Sequence, residues 1–491
     1  MPKKLLLSAV IASLCAATSA HAAITSGQLI AIGSLSGSSA GNNTDLSGLT
    51  GLLENGVAGN FLGGIGSGLA YAGGNTFIAT PDRGPNATAY NALVDDTSSY
   101  ISRFHTITLN LTANTSGTGL AYNLTPTLTA TTLLSSATAL NYGTGAGLGN
   151  KIDGTPLGSG APTLNLTNST NYFSGRSDNF SAANALGAPD STSANPSNAR
   201  FDPEGVRVSN DGKSVFISDE YGPYVNQFDR VTGERIKSFA LPANLAVPNL
   251  SPVGATEIAN NTTSGRVTNK GMEGLAITPD GSTLVGIMQA ALGQDGGKSV
   301  RIVTIEIASG TTHEYAYKLT TGSGASEIIA INNHEFLVDE RDGKGLGDGT
   351  NAGVKQLYKI DITGATEVSG LTGSSALGAV AIPKTLFLDV VSKLNANGIT
   401  SANIPSKIEG VAFGQDIIDN GTLFHTLYIA NDNDFVPGVA GANQFYVFAV
   451  ADAGLNFQAQ QISAVPVPAA VWLFGTALIG LTGFARKHKA V

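Results

Sequence analysis

The sequence predicts an all-β chain: a single β-propeller of six blades, each of four antiparallel strands, with a transmembrane helix at its C-terminus. Three observations lead there. A unit recurs along the body, made of an acidic or small residue, a glycine, alternating apolar residues, a turn, and a second apolar strand with an acidic end. Turn signals such as Asn210-Asp211-Gly212 and Pro279-Asp280-Gly281 separate these strand-like runs. No long amphipathic helix pattern occurs between residues 23 and 464.

The clearest unit starts at Glu204-Gly205-Val206-Arg207-Val208 and returns through Ser214-Val215-Phe216-Ile217-Ser218-Asp219-Glu220. A third strand over 225–229 and a fourth over 235–241, after Thr232-Gly233, complete it. Four such strands within about 40 residues are the sequence form of a propeller blade. Further units begin at Glu273-Gly274-Leu275, Glu327-Ile328-Ile329 and Glu409-Gly410-Val411, and upstream at Gly68-Leu69-Ala70-Tyr71. The segment 112–200, rich in Thr, Ser, Asn, Ala and Gly, reads as a loop-rich insertion. Its alternating run over 124–134 is expected to supply part of a sixth blade. The early strand over 28–32 is expected to pair with the last blade and close the ring, which removes free strand edges.

The ends of the chain carry targeting signals. Lys3 and Lys4 precede an apolar run from Leu5 to about Ala17, and Ala20-His21-Ala22 gives the small-x-small pattern that a signal peptidase reads. The run is too short to span a bilayer, so residues 1–22 are expected to be a cleaved signal peptide. Cys15 is the one cysteine, so the body over 23–463 has none. That excludes disulfides, thiolate zinc sites and cysteine nucleophiles. Without the targeting charges Lys3, Lys4, Arg486, Lys487 and Lys489, 22 basic residues face 36 acidic ones, a net of −14. An acidic surface argues against nucleic acid and anionic lipid as partners and suits divalent cations.

At the other end, Val465-Pro466-Val467-Pro468-Ala469 and Trp472-Leu473-Phe474-Gly475 lead through an apolar stretch, 469–485, to Arg486-Lys487-His488-Lys489. This stretch lies at the lower edge of a spanning helix, and the basic cluster behind it would stay cytoplasmic. Taken alone it is a single-pass anchor. Its order closely resembles the PEP-CTERM sorting signals of Gram-negative bacteria, in the Val-Pro-x-Pro-Ala variant. The resemblance implies that 464–491 is a sorting signal, that an exosortase removes it after transient membrane anchoring, and that the protein works at the cell exterior in an exopolysaccharide context.

Equivalent positions in propeller blades fall on rings around one axis. Glu204, Glu273, Glu327 and Glu409 share one register; Asp82, Asp219, Glu220, Asp339, Glu340, Asp432 and Asp434 share another. Converging carboxylates repel unless a cation, an arginine or protonation intervenes. Hard oxygen donors of this kind suit Ca²⁺, so Asp82, Glu204, Glu273, Asp339, Glu340 and Glu409 are candidate metal ligands. The plainer alternative is that they bond to backbone N–H groups at blade turns. Gly37-Ser38-Ser39-Ala40-Gly41 matches Gly-x-Ser-x-Gly but lacks the strand and helix that strain a nucleophile elbow. Gly343-Lys344-Gly345-Leu346-Gly347-Asp348-Gly349 lacks the ending of a phosphate loop and reads as a long inter-strand loop suited to a cation.

Phe201-Asp202-Pro203-Glu204-Gly205, with Ile217-Ser218-Asp219-Glu220-Tyr221-Gly222-Pro223, resembles the signature of the phytase-like family, described by an esterase-like activity of phytase. Asp82-Arg83-Gly84-Pro85-Asn86, Gly271-Met272-Glu273-Gly274 and Ile408-Glu409-Gly410 fit its other blades, over roughly 60–450. The resemblance implies a β-propeller and a calcium-assisted hydrolase of phosphate or other esters. On that reading Glu204, Asp219 and Glu220 are candidate catalytic residues, and Arg83 and Arg341 candidate substrate-binding residues. No run of basic residues is present to hold a highly phosphorylated inositol. The expectation is an exported ester or phosphoester hydrolase. The alternative is a non-catalytic binding module of the cell surface or exopolysaccharide matrix.

Overall fold

The computed structural model describes residues 23–35, 43–86, 91, 98–145, 148–176, 193–251 and 253–463. The expected signal peptide, the motif at 37–41 and the tail over 464–491 lie outside the described residues. Among the described residues, no helix is long and apolar enough to cross a membrane.

The strands form one propeller of five blades. Blade 1 runs Gly68–Tyr71, Thr76–Thr80, Arg103–Ala113 and Tyr122–Leu133. Blade 2 is Pro203–Val208, Ser214–Asp219, Tyr224–Asp229 and Arg235–Ala240. Blade 3 is Met272–Ile277, Thr283–Met288, Ser299–Glu306 and Thr312–Lys318. Blade 4 is Gly324–Ala330, Glu335–Arg341, Lys355–Asp361 and Lys384–Asp389. Blade 5 holds Lys407–Phe413, Thr422–Asp432 and Asn443–Ala451, with the short Ile417–Asp419 beside it, and Gln28–Leu35 supplies its outer strand. The predicted closure is therefore present: Gln28 pairs with Ala449 and Leu35 with Asn443.

The sixth blade is a correction. The alternating run assigned to it is the outer strand of blade 1, paired with Arg103–Ala113 from Arg103↔Leu133 to Ala113↔Tyr122. The segment that follows adds Leu134, Leu140, Phe173 and Phe201 to the hydrophobic core shared by blades 1 and 2. It fills space between two blades, and among its described residues the one sheet is the short pairing of Ser135–Ser136 with Asn171–Tyr172.

The five inner strands meet around the axis in chain order, and the first returns to the last. Their approach explains the glycine after each axial acid. A Cβ on Gly274 would lie 2.6 Å from Glu327 Cα of blade 4, and one on Gly410 would lie 2.9 Å from Gly66 O ahead of blade 1. Such distances are inside van der Waals contact and on backbone atoms that cannot rotate away. Gly274→Ala should therefore cost about 1–3 kcal/mol through overpacking. Gly343→Ala, with nothing within 4 Å, should stay within about 0.5 kcal/mol of wild type. Urea unfolding of both variants checks this; equal effects would refute the close-approach account.

Candidate metal centre at the axial mouth

Inner strands of four blades carry a β-bulge where they enter the ring: between Pro203 and Val206, Met272 and Gly274, Ala325 and Glu327, and Ile408 and Val411. A bulge re-aims side chains. In blades 2, 3 and 5 it holds Glu204, Glu273 and Glu409. In blade 4 it holds Ser326, because the pairs Ala325↔Glu340 and Glu327↔Asp339 shift the register by one from the sequence expectation. Glu327 thus occupies the place of Gly274. At the ends of the neighbouring strands, Asp82, Glu220, Gln289, Arg341 and Asp432 take equivalent places.

These residues surround a cavity of about 320 Å³, lined among others by Asp82, Arg83, Glu204, Glu220, Glu273, Gln289, Arg341, Lys407 and Glu409. Two sets of carboxylates converge there. Asp202, Glu204 and Glu220, all buried, bring one oxygen each within 4.8 Å of the others, and Asp82, Asp432 and Asp434 do the same. Three cations hold the sets apart. Arg83 Nη1 lies 3.1 Å from Asp202 Oδ2 and 3.9 Å from Glu220 Oε2. Lys407 Nζ lies 2.9 Å from Asp432 Oδ2 and also pairs with Asp434. Arg341 Nη2 pairs with Glu409 and lies 3.4 Å from Glu273 Oε1. Gln289 Nε2 donates to Glu273 Oε1 at 2.7 Å. Asp434 and Phe435 both hold positive φ, 50° and 56°. Side chains disfavour that conformation by about 1–3 kcal/mol per residue. Phe435 is held there by packing on Tyr100 and Phe61 at ring distances of 5.1 and 6.2 Å.

The cations do not offset the carboxylates. Burial first, then Glu273, Asp202, Glu220 and Glu409, pushes Glu204 well above the usual carboxylate range. Burial, Glu220 and Glu409 do the same to Glu273. Burial and Asp432 raise Asp82. Burial lifts Glu409 to about 7 against the pull of Arg341 and Lys407. Glu273 Oε2 is buried without a hydrogen-bond partner. An orphaned carboxylate oxygen beside all-oxygen donor sets fits a hard divalent cation.

The structure places other expected site residues elsewhere. Asp219 Oδ1 accepts the N–H of Asp202 at 3.1 Å and of Tyr221 at 2.9 Å, so it braces the turn that carries Glu220. Asp339 accepts Ser326 Oγ at 2.9 Å. Glu340 points to the junction of blades 3 and 4, where it accepts Tyr317 Oη at 2.7 Å and the Thr320 N–H at 2.9 Å from the blade 3 side and pairs with Lys384 of blade 4. Asp339 and Glu340, expected among the metal ligands, thus bond within and between blades and are not among the residues that line the cavity. Glu327 lies 3.0 Å from Arg207 Nη2. Arg207 crosses the axis and donates to the carbonyls of Leu69 in blade 1, at 2.8 Å, and Ile328 in blade 4, at 2.9 Å. Beside the loop at 343–349, Lys355 Nζ donates to Asp342 Oδ1 at 2.8 Å, Ser406 O at 2.7 Å and Lys344 O at 3.2 Å. Sequence reasoning singled out neither Asp202 nor Lys407, although Asp202 stands inside the Phe-Asp-Pro-Glu-Gly run and Lys407 two residues before Glu409.

Raised carboxylate pKa values set a pH dependence. Asp339 moves from 3.8 to about 7 and Glu409 from 4.5 to about 7, burial being the largest cause in each. The folded protein then holds protons that the unfolded chain releases. This stabilisation is complete below the unfolded values and is lost as pH rises through the folded ones. Metal-free protein should lose stability as pH rises from about 4 to about 7. Urea unfolding across that range reads it directly, and stability that rises instead would contradict the burial of unneutralised carboxylates.

A family model described as "Phytase-like: Esterase-like activity of phytase" matches residues 60–435. A protein of Arthroderma benhamiae, named an uncharacterized secreted protein, is 28% identical over 254 residues, 42% of this chain and 48% of that protein. The chain thus spans about half the length of that relative. Among solved structures, hydrazine synthase of Kuenenia stuttgartiensis matches at 11% identity and TM-score 0.29, over 77% of this chain and 79% of that one. Sqt1 of Saccharomyces cerevisiae matches at 7% and 0.29, over 77% and 70%. Neither likeness is close enough to bear on fold or function. The family match spans the residues of the axial mouth, blades 1 to 4 and the inner strands of blade 5, and by it the chain belongs to the phytase-like family.

Proposed function

We propose that the axial mouth binds a divalent cation, calcium first, and serves a metal-assisted hydrolase of esters or phosphoesters outside the cell. The observation that carries this reading is the buried, unpartnered Glu273 Oε2 among carboxylates that burial and mutual repulsion leave short of positive charge. Asp202, Glu204 and Glu220 would hold the ion, and Asp82, Asp432 and Asp434 form a second candidate set. A bound cation supplies Lewis-acid polarisation of a carbonyl or phosphoryl oxygen. Arg83 and Arg341 line the same cavity and present guanidinium groups that orient an anionic oxygen. Glu409, poised at about 7, can take a proton from water near neutral pH. The family's description supports the ester chemistry. Few cations are free to meet a polyphosphate, so a small ester or monoester fits better.

The secreted relative, the expected signal peptide at 1–22 and the sorting pattern at 464–491 support export from a Gram-negative cell. Processing by signal peptidase and an exosortase-type enzyme would then give a cell-surface or released protein. The rival reading is a non-catalytic module associated with the cell surface or exopolysaccharide matrix. It draws on the pairing of Arg83, Arg341 and Lys407 with carboxylates, which partly compensates the site without a metal.

Thermal melting across a calcium titration separates the two. Wild type should gain about 2.7 kcal/mol once calcium reaches a hundredfold excess over its Kd. Glu204→Gln should melt higher than wild type without metal, because it removes repulsion, and should not respond to calcium. Asp219→Asn should lose stability with or without calcium, since it breaks a brace. Hydrolysis of p-nitrophenyl phosphate and p-nitrophenyl acetate should fall on chelation. No calcium shift in wild type would sink the metal reading and leave the binding module as the better one.

A further inference from the structure

The propeller has a second cavity, about 440 Å³, at the opposite mouth of the axis. Its volume lies in the range of small-ligand pockets, about 300–1,000 Å³. Arg207 separates it from the carboxylate mouth, since its guanidinium spans the axis between the carbonyls of Leu69 and Ile328. The segment 457–462 forms one wall. It is tied down at several points: the Gln458 N–H donates to Ile331 O at 2.8 Å, and Gln460 Nε2 donates to Val208 O and Asn210 Oδ1 at 2.7 Å each. Phe457 stacks on Phe413 at 4.6 Å and on His425 at 4.3 Å. The C-terminal segment therefore crosses from blade 5 over blade 4 to blade 2.

The chemistry of the walls differs from that of the other mouth. The charged groups that reach it have partners: Arg207 has Glu327 at 3.0 Å, and Asp416 has His425 Nδ1 at 2.7 Å. What remains is the glutamine amides at 415 and 458, beside the rings of Tyr71, Phe413 and Phe457, since Gln460 and Gln461 already donate to Val208 O, Asn210 Oδ1 and Ala459 O. Each amide carries a donor and an acceptor, which matches a hydroxyl group that is both. Aromatic faces carry partial negative charge and attract the polarised C–H groups of a sugar ring. An anion would find no unpaired cation there, and a purely apolar ligand would strip water from the amides without replacing it.

We infer that this mouth is a second binding site, for a neutral saccharide unit, with the segment 457–462 as a fixed wall. The inference does not depend on the hydrolase reading, because the two cavities share no carboxylate.

The probes are the neutral trisaccharides maltotriose, cellotriose and chitotriose, titrated calorimetrically into the full chain, with hexanol as the apolar comparison and sulfate as the anionic one. At least one trisaccharide should saturate, and its Kd should weaken about tenfold or more in Gln458→Ala. That residue is exposed and its side chain supports no other part of the fold. Phe457→Ala should abolish binding, and the calcium response at the far mouth should be unchanged in both variants. No saturation by any of the three, stronger binding of hexanol or sulfate, or binding that survives Gln458→Ala and Phe457→Ala would overturn the proposal.

Discussion

Carboxylates packed around one axis in a low-dielectric setting are the constraint to which the rest of this structure answers. Like charges that close raise one another's pKa, and burial adds to the effect. Glu204, Glu273 and Asp82 all show it. The surrounding architecture reads as a set of responses: Arg341 bridges blades 3 and 5 through Glu273 and Glu409, Lys407 holds Asp432 and Asp434, and Arg83 joins blade 1 to Asp202. Removing one member of such a network leaves a buried charge without its partner, which costs more than the pair contributes.

Two layers of the axis do different work. The upper layer is charged and incompletely neutralised. Below it, Arg207 uses blade 2 as a base from which to reach the backbone of blades 1 and 4, so the channel is closed by a side chain whose donors are spent on carbonyls and on Glu327. That closure gives two separate cavities of contrasting chemistry. The glycine positions allow it, because inner strands with a Cβ at Gly68, Gly205, Gly274 or Gly410 could not come this near to one another.

Much of this was legible in the sequence. Asp-Gly turns between alternating runs gave the hairpins, and the recurrent Glu-Gly pair placed Glu204, Glu273 and Glu409 on one ring. The N-terminal strand was expected in the last blade and is there. The failures have physical causes. A one-residue bulge is silent in an alternating pattern, yet it exchanges the faces of a strand. In blade 4 it falls on Ser326, so Glu327 takes the place that Gly274 has in blade 3. An alternating run such as 122–133 looks the same as a fourth strand of an old blade or the first of a new one, so the blade count was one too high. Asp202 joins Glu204 and Glu220 from the turn ahead of Pro203–Val208, and no periodicity encodes that.

Calcium can bind these carboxylates only as they lose their protons, since metal and proton compete for the same oxygens. Calorimetric titration of calcium into metal-free protein at neutral pH, repeated in buffers of different ionisation enthalpy, counts the protons released. A cation at the axial mouth predicts saturable binding with at least about one proton released per ion. The number should fall in Glu204→Gln. Binding with no dependence on buffer, or no binding at all, would contradict a metal centre built from buried, protonated carboxylates.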